Sequence, residues 1–359
     1  MILQGDALSK LKELPEKSVN MCMTSPPYWA LRDYGTASWE GGSDESCSHL
    51  KNEGFLKWSE KSKLAGTQTQ EVYETQRQTY KEVCGKCGAK RVDKQLGLEA
   101  TFDEYINKLC NIFDEVKRVL RDDGTCWVNL GDCYIGGHKG GSIHIKNSKY
   151  DNPDIIPQFN GTPKERQKGM QEKCLVGIPF RFAIEMVNRG WILRNTIIWH
   201  KPNCMPSSVK DRFTVDFEYI FFFSKKKKYY FEQQIEPTKA KVIEPRMFKD
   251  FRQVYPDGKY KGKQGVRRSK DRNKRTTWRI CPKPFKEAHF AVYPEELCET
   301  PIKAGCPEGG IVLDPFFGAG TTGVVALKQK KKFIGIELNP EYIEIAEKRL
   351  KPFKEQTTL

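Results

Sequence analysis

Residues 309–350, GGIVLDPFFGAGTTGVVALKQKKKFIGIELNPEYIEIAEKRL, restrict the fold more than any other part of the chain. An apolar run, Ile311 to Leu313, ends in a glycine-rich turn. A helical pattern follows, then a second apolar run, Phe333 to Glu337. Asn339-Pro340 opens another helix, with proline in a first-turn position where a missing N–H costs little. Strand, helix, strand in this order requires two parallel strands joined by a crossover helix. The turn from Asp314 to Gly323 contains the G-x-G-x-x-G spacing. Its glycines let the backbone approach a ligand, and the helix N-terminus after it favours an anionic group. Glu337, at the end of the next strand, is placed to accept both hydroxyls of a ribose. On its own the pattern also suits a nicotinamide or flavin dinucleotide, although Pro315-Phe316-Phe317 makes the turn bulkier than that fingerprint.

The N-terminus reads as a continuation of the same sheet. ILQGD is a short strand, ALSKLKELPEKS a helix and VNMCMTS another strand. In TFDEYINKLCNIFDEVKRVL the residues Phe102, Tyr105, Ile106, Leu109, Ile112, Phe113, Val116 and Leu120 share one helical face. GTCWVNLGD then reads as a strand, PFRFAIEMVNRG as a helix and WILRNTIIWHK as a strand. FEYIFFFSK and KYYF read as a hairpin beside them. The whole is an α/β fold, a doubly wound, mostly parallel sheet. Three stretches interrupt it: polar residues 36–95, an aperiodic Gly-, Lys- and Asn-rich loop at 135–172, and a basic region at 232–288. The intervening parts, 1–35, 96–231 and 289–359, read as one discontinuous domain.

VNMCMTS leads directly into Ser25-Pro26-Pro27-Tyr28-Trp29. Two prolines can neither continue the strand nor form a helix interior, so the chain leaves the sheet in a stiff loop at a strand's carboxyl end. Open α/β sheets bind their ligands at such ends; an ordinary Pro-Pro turn is the plain alternative. Cys47-Ser48-His49 and Cys84-Gly85-Lys86-Cys87 place C-x-H and C-x-x-C in the first interruption. Cys47, His49, Cys84 and Cys87 thus supply four ligands, the number for a closed structural zinc site. The other reading is two unrelated segments bearing reduced thiols. MILQGDALSK lacks a secretory layout and no apolar run approaches a membrane span, so a cytoplasmic protein with reduced cysteines is expected. Lys and Arg exceed Asp and Glu by 15, and residues 225–290, with 21 basic and 7 acidic side chains, hold nearly all of that surplus. Interleaved aromatics there, among them Tyr229, Phe251, Tyr260 and Trp278, suit a nucleic-acid backbone and its bases.

Taken together, TSPPYW, DPFFGAGTTG and IGIELNPEY, with WVNLGD, NTIIWHKPNCMPSSVKDR and HFAVYPEELCETPIKAGCPEGG, resemble the S-adenosylmethionine-dependent DNA amino-methyltransferases. The order, TSPPYW first and DPFFGAGTTG near the C-terminus, is similar to their permuted β class. The resemblance implies that Phe316, Gly318, Gly320 and Thr321 line the methionine side of S-adenosylmethionine. It implies that Asp314 orders that loop or meets the cofactor's ammonium, that Glu337 binds the ribose, and that Asp6 lies near the adenine. Phe290 to Pro294 would precede a helix over the methionine end. Ser25 and the carbonyl of Pro26, fixed by Pro27, would accept the two hydrogens of a base amine, and Tyr28 would stack on the base. Ser-Pro-Pro-Tyr occurs mostly among cytosine-N4 enzymes and Asp-Pro-Pro-Tyr among adenine-N6 enzymes. Cytosine N4 is therefore the expected target and adenine N6 the alternative. Double-stranded DNA would be the partner, with residues 232–288 as its recognition region and a cognate restriction endonuclease as a possible companion. Two readings from other classes explain less. A nucleotide-binding oxidoreductase leaves Ser25 to Tyr28 without a purpose, and a non-catalytic zinc module for nucleic acid leaves the cofactor half unused.

Overall fold

The computed structural model describes residues 1–29, 38–44, 46–49, 83–93, 95–135, 170–237, 271–283 and 292–356. The chain starts with β1 (Ile2–Gln4), α1 (Ala7–Glu13) and β2 (Val19–Thr24). A small antiparallel pair follows, β3 (Ser38–Glu40) with β4 (Lys90–Val92). Next come α2 (Phe102–Val119), β5 (Leu120–Leu130), α3 (Ile178–Asn188), β6 (Ile192–His200) and β7 (Phe217–Ser224). After β8 (Ile235–Pro237), β9 (Asp271–Asn273) and β10 (Thr277–Arg279), the chain ends through α4 (Glu295–Gly305), β11 (Ile311–Asp314), α5 (Thr321–Lys328), β12 (Lys332–Glu337) and α6 (Pro340–Gln356).

Eight strands form one sheet in the order β1-β12-β11-β2-β5-β7-β6-β10. Pairing is parallel from β1 to β5, and antiparallel only where β7 meets β5 and β6. The first strand therefore lies beside the last, with Ile2 opposite Gly335. The order reverses between β11, which leads to β12 on one side, and β2, which leads to β5 on the other. Ligands of open α/β sheets bind at such a switch point.

Side-chain alternation along the strands feeds two cores. On β7, Phe221 and Phe223 join Leu109, Phe113 and Phe182 of α2 and α3 on one face. Ile220 and Phe222 join Trp127 of β5 with Leu297 and Ile302 of α4 on the other. Each such side chain contributes about 1.5–3 kcal/mol of burial free energy. Helix α2 shows why these elements form where they do. Thr101 caps it, its Oγ1 accepting the Glu104 N–H at 3.1 Å, and Asp103 and Glu104 complement the positive end of the helix.

The structure departs from the sequence reading at two strands and extends it at a third place. KYYF is not a strand, because both edges of β7 are already taken by β5 and β6; Tyr229 and Phe231 pack on Phe222 instead. Leu120 opens β5 and does not close α2, so β5 is longer than GTCWVNLGD. The basic region, which shows no sheet pattern in sequence, contributes the antiparallel pair β8–β9 and an edge strand, β10. Most of the aperiodic loop at 135–172 and residues 238–270 of the basic region lie outside the described residues. No helix among the described residues is long and apolar enough to cross a membrane.

Candidate active site and metal centre

A cavity of about 520 Å³ opens at the carboxyl ends of the central strands. Asp6 and Leu8 of the α1 region, Phe316, Gly318 and Thr321 of the glycine-rich turn, and Glu337 at the end of β12 all line it. Ser25 and Pro27 of the diproline loop line the same cavity. Two segments almost three hundred residues apart in sequence thus share one chamber because β2 and β11 are neighbours.

Each acid has a definite place. Asp6 is the N-cap of α1, accepting the Ser9 N–H and hydroxyl, both at 2.9 Å. Glu337 accepts the Gly318 N–H at 2.7 Å through Oε2 and the Asn339 N–H at 2.8 Å through Oε1. Burial pushes its carboxyl above the usual range, and these N–H groups counter only part of that. Asp314 is fully buried behind the cavity wall and accepts four hydrogen bonds. Thr24 Oγ1 (2.6 Å) and the Phe316 N–H (3.1 Å) donate to Oδ1, and Thr322 Oγ1 (2.6 Å) and Tyr293 Oη (3.1 Å) to Oδ2. It ties β2, the turn and α5 together, and burial raises its carboxyl too. Gly320 lies outside the lining, at the N-cap of α5 with φ 77°. Phe317 lies flat over β12, stacked on Phe333 at 5.4 Å; a Cβ on Gly335 would meet its ring at 2.3 Å. That is the reason a strand as buried as FIGIE contains a glycine.

The diproline loop is held from below. Pro26 is buried, and the Pro27 carbonyl accepts the Tyr105 hydroxyl at 2.8 Å. Ser25 Oγ donates to Asn129 Oδ1 at 3.2 Å. Tyr28 Oη lies 2.7 Å from Glu218 Oε2 and 3.2 Å from Asn129 Oδ1, so its one proton goes to the carboxylate. Asn129 Nδ2 donates to the same Glu218 oxygen and to the Tyr219 carbonyl, both at 3.1 Å. Lys201 Nζ pairs with the other oxygen of Glu218. Burial, then the charge of Glu218, push the Tyr28 phenol well above its ordinary value. Trp29 belongs to the core, donating its Nε1–H to the Glu99 carbonyl at 3.0 Å.

The four metal-ligand candidates also converge. Cys47 Sγ, His49, Cys84 Sγ and Cys87 Sγ place donor atoms within 4.8 Å of one another. Cys47 Sγ and Cys84 Sγ are 3.8 Å apart, and Cys87 Sγ is 3.5 Å from His49 Nδ1. A tetrahedral zinc with Zn–S near 2.3 Å has an S···S edge of about 3.8 Å, so the donors fit that ion. Trp39 stacks on the His49 ring at 4.5 Å. Burial acts to raise the Cys84 thiol, but the Cys87 and Lys86 N–H groups and the His49 ring outweigh it and bring it to about 6. This favours the thiolate at Cys84. At Cys87 the Ala89 N–H acts to lower the thiol, but burial and the neighbouring Cys84 and Cys47 thiols outweigh it and push it up.

Across residues 19–348 the chain matches the N6/N4 methyltransferase family, described as DNA methylase. The chain belongs to the N6/N4 DNA methylase family. It is similar to the type II methyltransferase M.Cfr9I of Citrobacter freundii, with 36% identity covering 97% of this chain and 87% of that protein. M.SmaI of Serratia marcescens is 34% identical, covering 97% and 90%. Among solved structures, the PvuII DNA methyltransferase (cytosine-N4-specific) superposes with a TM-score of 0.54 at 17% identity, covering 99% of this chain and 89% of that one. A Thermus thermophilus DNA modification methylase complexed with S-adenosyl-L-methionine gives 0.51 at 20% identity, covering 98% and 95%. These two likenesses establish that the DNA amino-methyltransferase shares their fold.

Sequence reasoning about this methylase missed Asn129, Glu218 and Lys201. Each had a signal. Asn129 is the polar residue in WVNLGD, Lys201 follows His200 in WHKP, and Glu218 is the acid in FEYIFFF. What is absent from the sequence is their pairing, which needs β5, β6 and β7 side by side. His200 Nε2 lies 3.3 Å from Asp216 Oδ2, whereas His138, His144, His289 and Phe290 lie outside the described residues.

Proposed function

We propose that this methylase transfers a methyl group from S-adenosylmethionine to the exocyclic N4 of cytosine in double-stranded DNA, acting on a base swung out of the duplex. One observation carries the reading: Ser25 and Pro27 line the same chamber as Phe316, Gly318 and Glu337. The chamber fits S-adenosylmethionine. Glu337 offers a carboxylate to a ribose diol, Asp6 lies nearby on α1, and Phe316 gives an apolar side. When bound, the cofactor supplies a methyl group activated by its sulfonium. Residues of the chain do the rest by orientation. An amine conjugated with a pyrimidine ring is a weak nucleophile. Ser25 lines the chamber and donates its hydroxyl proton to Asn129, which leaves its lone pairs to accept. With the Pro26 carbonyl it would hold the two amine hydrogens and aim the nitrogen lone pair at the methyl carbon. Ser25 Oγ and the Pro26 carbonyl would keep the nitrogen in line with the methyl group the cofactor supplies, and the amine would lose one hydrogen as a proton to solvent. Tyr28, fixed through its hydroxyl, would present its ring to the extruded base.

Serine at position 25 favours cytosine N4, and the cytosine-N4-specific PvuII enzyme shares the fold. Adenine N6 is the competing target. Digesting DNA methylated by the purified protein and identifying the modified nucleoside by mass spectrometry decides between them; N6-methyladenine alone would overturn the cytosine reading. Cys47, His49, Cys84 and Cys87 are assigned one structural zinc. Metal analysis should give about one zinc per chain, lost in Cys84→Ser/Cys87→Ser, and a folded, metal-free protein removes it. The type II relatives support a restriction endonuclease as companion in a bacterial cytoplasm. Full cleavage, by an endonuclease encoded beside the gene, of DNA this protein has methylated would end that pairing.

A further inference from the structure

The candidate metal centre does not stand apart from the cavity. Cys84 and Cys87 lead through β4 into Asp93, and Asp93, Gln95, Leu96 and Glu99 line the chamber that Ser25 and Glu337 share. This segment presses on the diproline loop. Gly97 has φ 100°, and a Cβ there would come within 2.8 Å of the Tyr28 carbonyl oxygen and 3.7 Å of Pro27 Cβ. Glu99 is only 5% exposed. Its Oε2 accepts the Gly97 N–H at 2.8 Å while its carbonyl accepts Trp29 Nε1–H at 3.0 Å. Glu99 thus clamps both the bend at Gly97 and the residue after Tyr28. Leu96 joins the main core, and Thr101 caps α2 immediately beyond. Upstream, the segment joins the antiparallel β3–β4 pair. The buried cluster around the thiols consists of Cys84, Cys87 and Ala89, packed with Trp39 and Cys47. So small a core needs a cross-link such as a metal to hold its shape.

We propose that the metal-stapled hairpin is a positioning element of the methyl-transfer reaction. Through Gly97 and Glu99 it holds the backbone of the Pro27–Tyr28 loop and one wall of the cofactor chamber, so metal binding and cofactor binding strengthen each other. Gly97 and Glu99 are positioning residues; they act through the loop and not on the reacting atoms. The proposal rests on the zinc and S-adenosylmethionine readings above, and its test separates it from both. Coupling between two sites is reciprocal: each ligand changes the other's affinity by the same factor, commonly about 5–150-fold.

Calorimetry with S-adenosylhomocysteine, on zinc-loaded full-length protein and on protein stripped by a chelator, should show affinity falling about tenfold or more on stripping. In the reverse direction, saturating S-adenosylhomocysteine should tighten zinc binding, read by equilibrium competition with a chromogenic chelator, by the same factor. Gly97→Ala should keep its zinc and a cooperative unfolding transition, lowered by the strain of its positive φ, bind S-adenosylhomocysteine more weakly, and lose the strengthening of zinc binding by that ligand. That pattern distinguishes positioning from a merely structural role. If zinc is present, the cofactor binds, and neither affects the other, the proposal is overturned while both site readings stand. If Gly97→Ala binds S-adenosylhomocysteine as tightly as the parent with its coupling intact, the path through Gly97 is overturned. Protein that never retains zinc removes the metal reading and this proposal together, and protein that binds zinc but no S-adenosylhomocysteine removes the cofactor reading.

Discussion

Ser25 and Tyr28 were legible as reactive candidates through the resemblance of TSPPYW to the amino-methyltransferases, since a diproline at a strand end also suits an ordinary turn. Their polarity was not, since it comes from Asn129 and Glu218 on strands met a hundred or more residues later. Ser25→Ala and Tyr28→Ala should each lower the single-turnover rate by about two orders of magnitude or more, with S-adenosylhomocysteine affinity nearly unchanged by calorimetry. Equal losses of cofactor binding would make the loop structural. Glu337 carries a pH prediction. Burial raises its folded-state carboxyl above the usual value, so on acidification it protonates earlier than an exposed glutamate. A protonated acid cannot accept both ribose hydroxyls. S-adenosylhomocysteine affinity should therefore hold at neutral pH and then fall below the folded pKa, at up to about tenfold per pH unit. Glu337→Gln should bind weakly with that pH dependence gone.

At the scale of elements, the glycine-rich turn illustrates how far local pattern reaches. The strand-turn-helix order of residues 311–328 follows from apolar runs and glycine positions alone. That Phe317 folds back over β12 does not, because its place depends on a missing side chain at Gly335, one strand away. Gly335→Ala forces a methyl group against that ring. It should cost about 1–3 kcal/mol in denaturant unfolding and weaken cofactor binding by shifting Phe316 and Gly318; unchanged values in both measurements would show that the turn does not depend on this packing. The hairpin expected from FEYIFFFSK and KYYF fails for a related reason. Strand propensity decides which residues can pair, while the availability of an edge decides which do.

For the molecule as a whole, the surplus charge sits in the region 225–290, of which 238–270 lie outside the described residues. Its described part is anchored by β10 on the sheet edge and by the β8–β9 pair, where Arg272 and Arg275 share the carboxylate of Glu236 at 2.9 and 2.7 Å. On the proposal that this region meets DNA phosphates, its other basic side chains are the ones to test. Replacing Lys259, Lys261, Lys263, Arg267 and Arg268 by neutral residues should weaken duplex binding at low salt. It should also flatten the dependence of log K on log salt by roughly 0.9 for each phosphate that is no longer neutralised. Binding and slope identical to the parent would take these residues out of the interface.

The sequence by itself determined the doubly wound sheet, the glycine-rich turn, the diproline loop and the C-x-H and C-x-x-C segments. Each is written in residues near one another along the chain, as periodicity, glycine and proline placement, or ligand spacing. Only the tertiary structure decided that Ser25 and Glu337 face one chamber, that Asp314 fastens its wall from behind, and that residues 95–99 brace the loop. Those relations join segments whose separation in sequence says nothing about their distance in space, and only the folded chain brings them together.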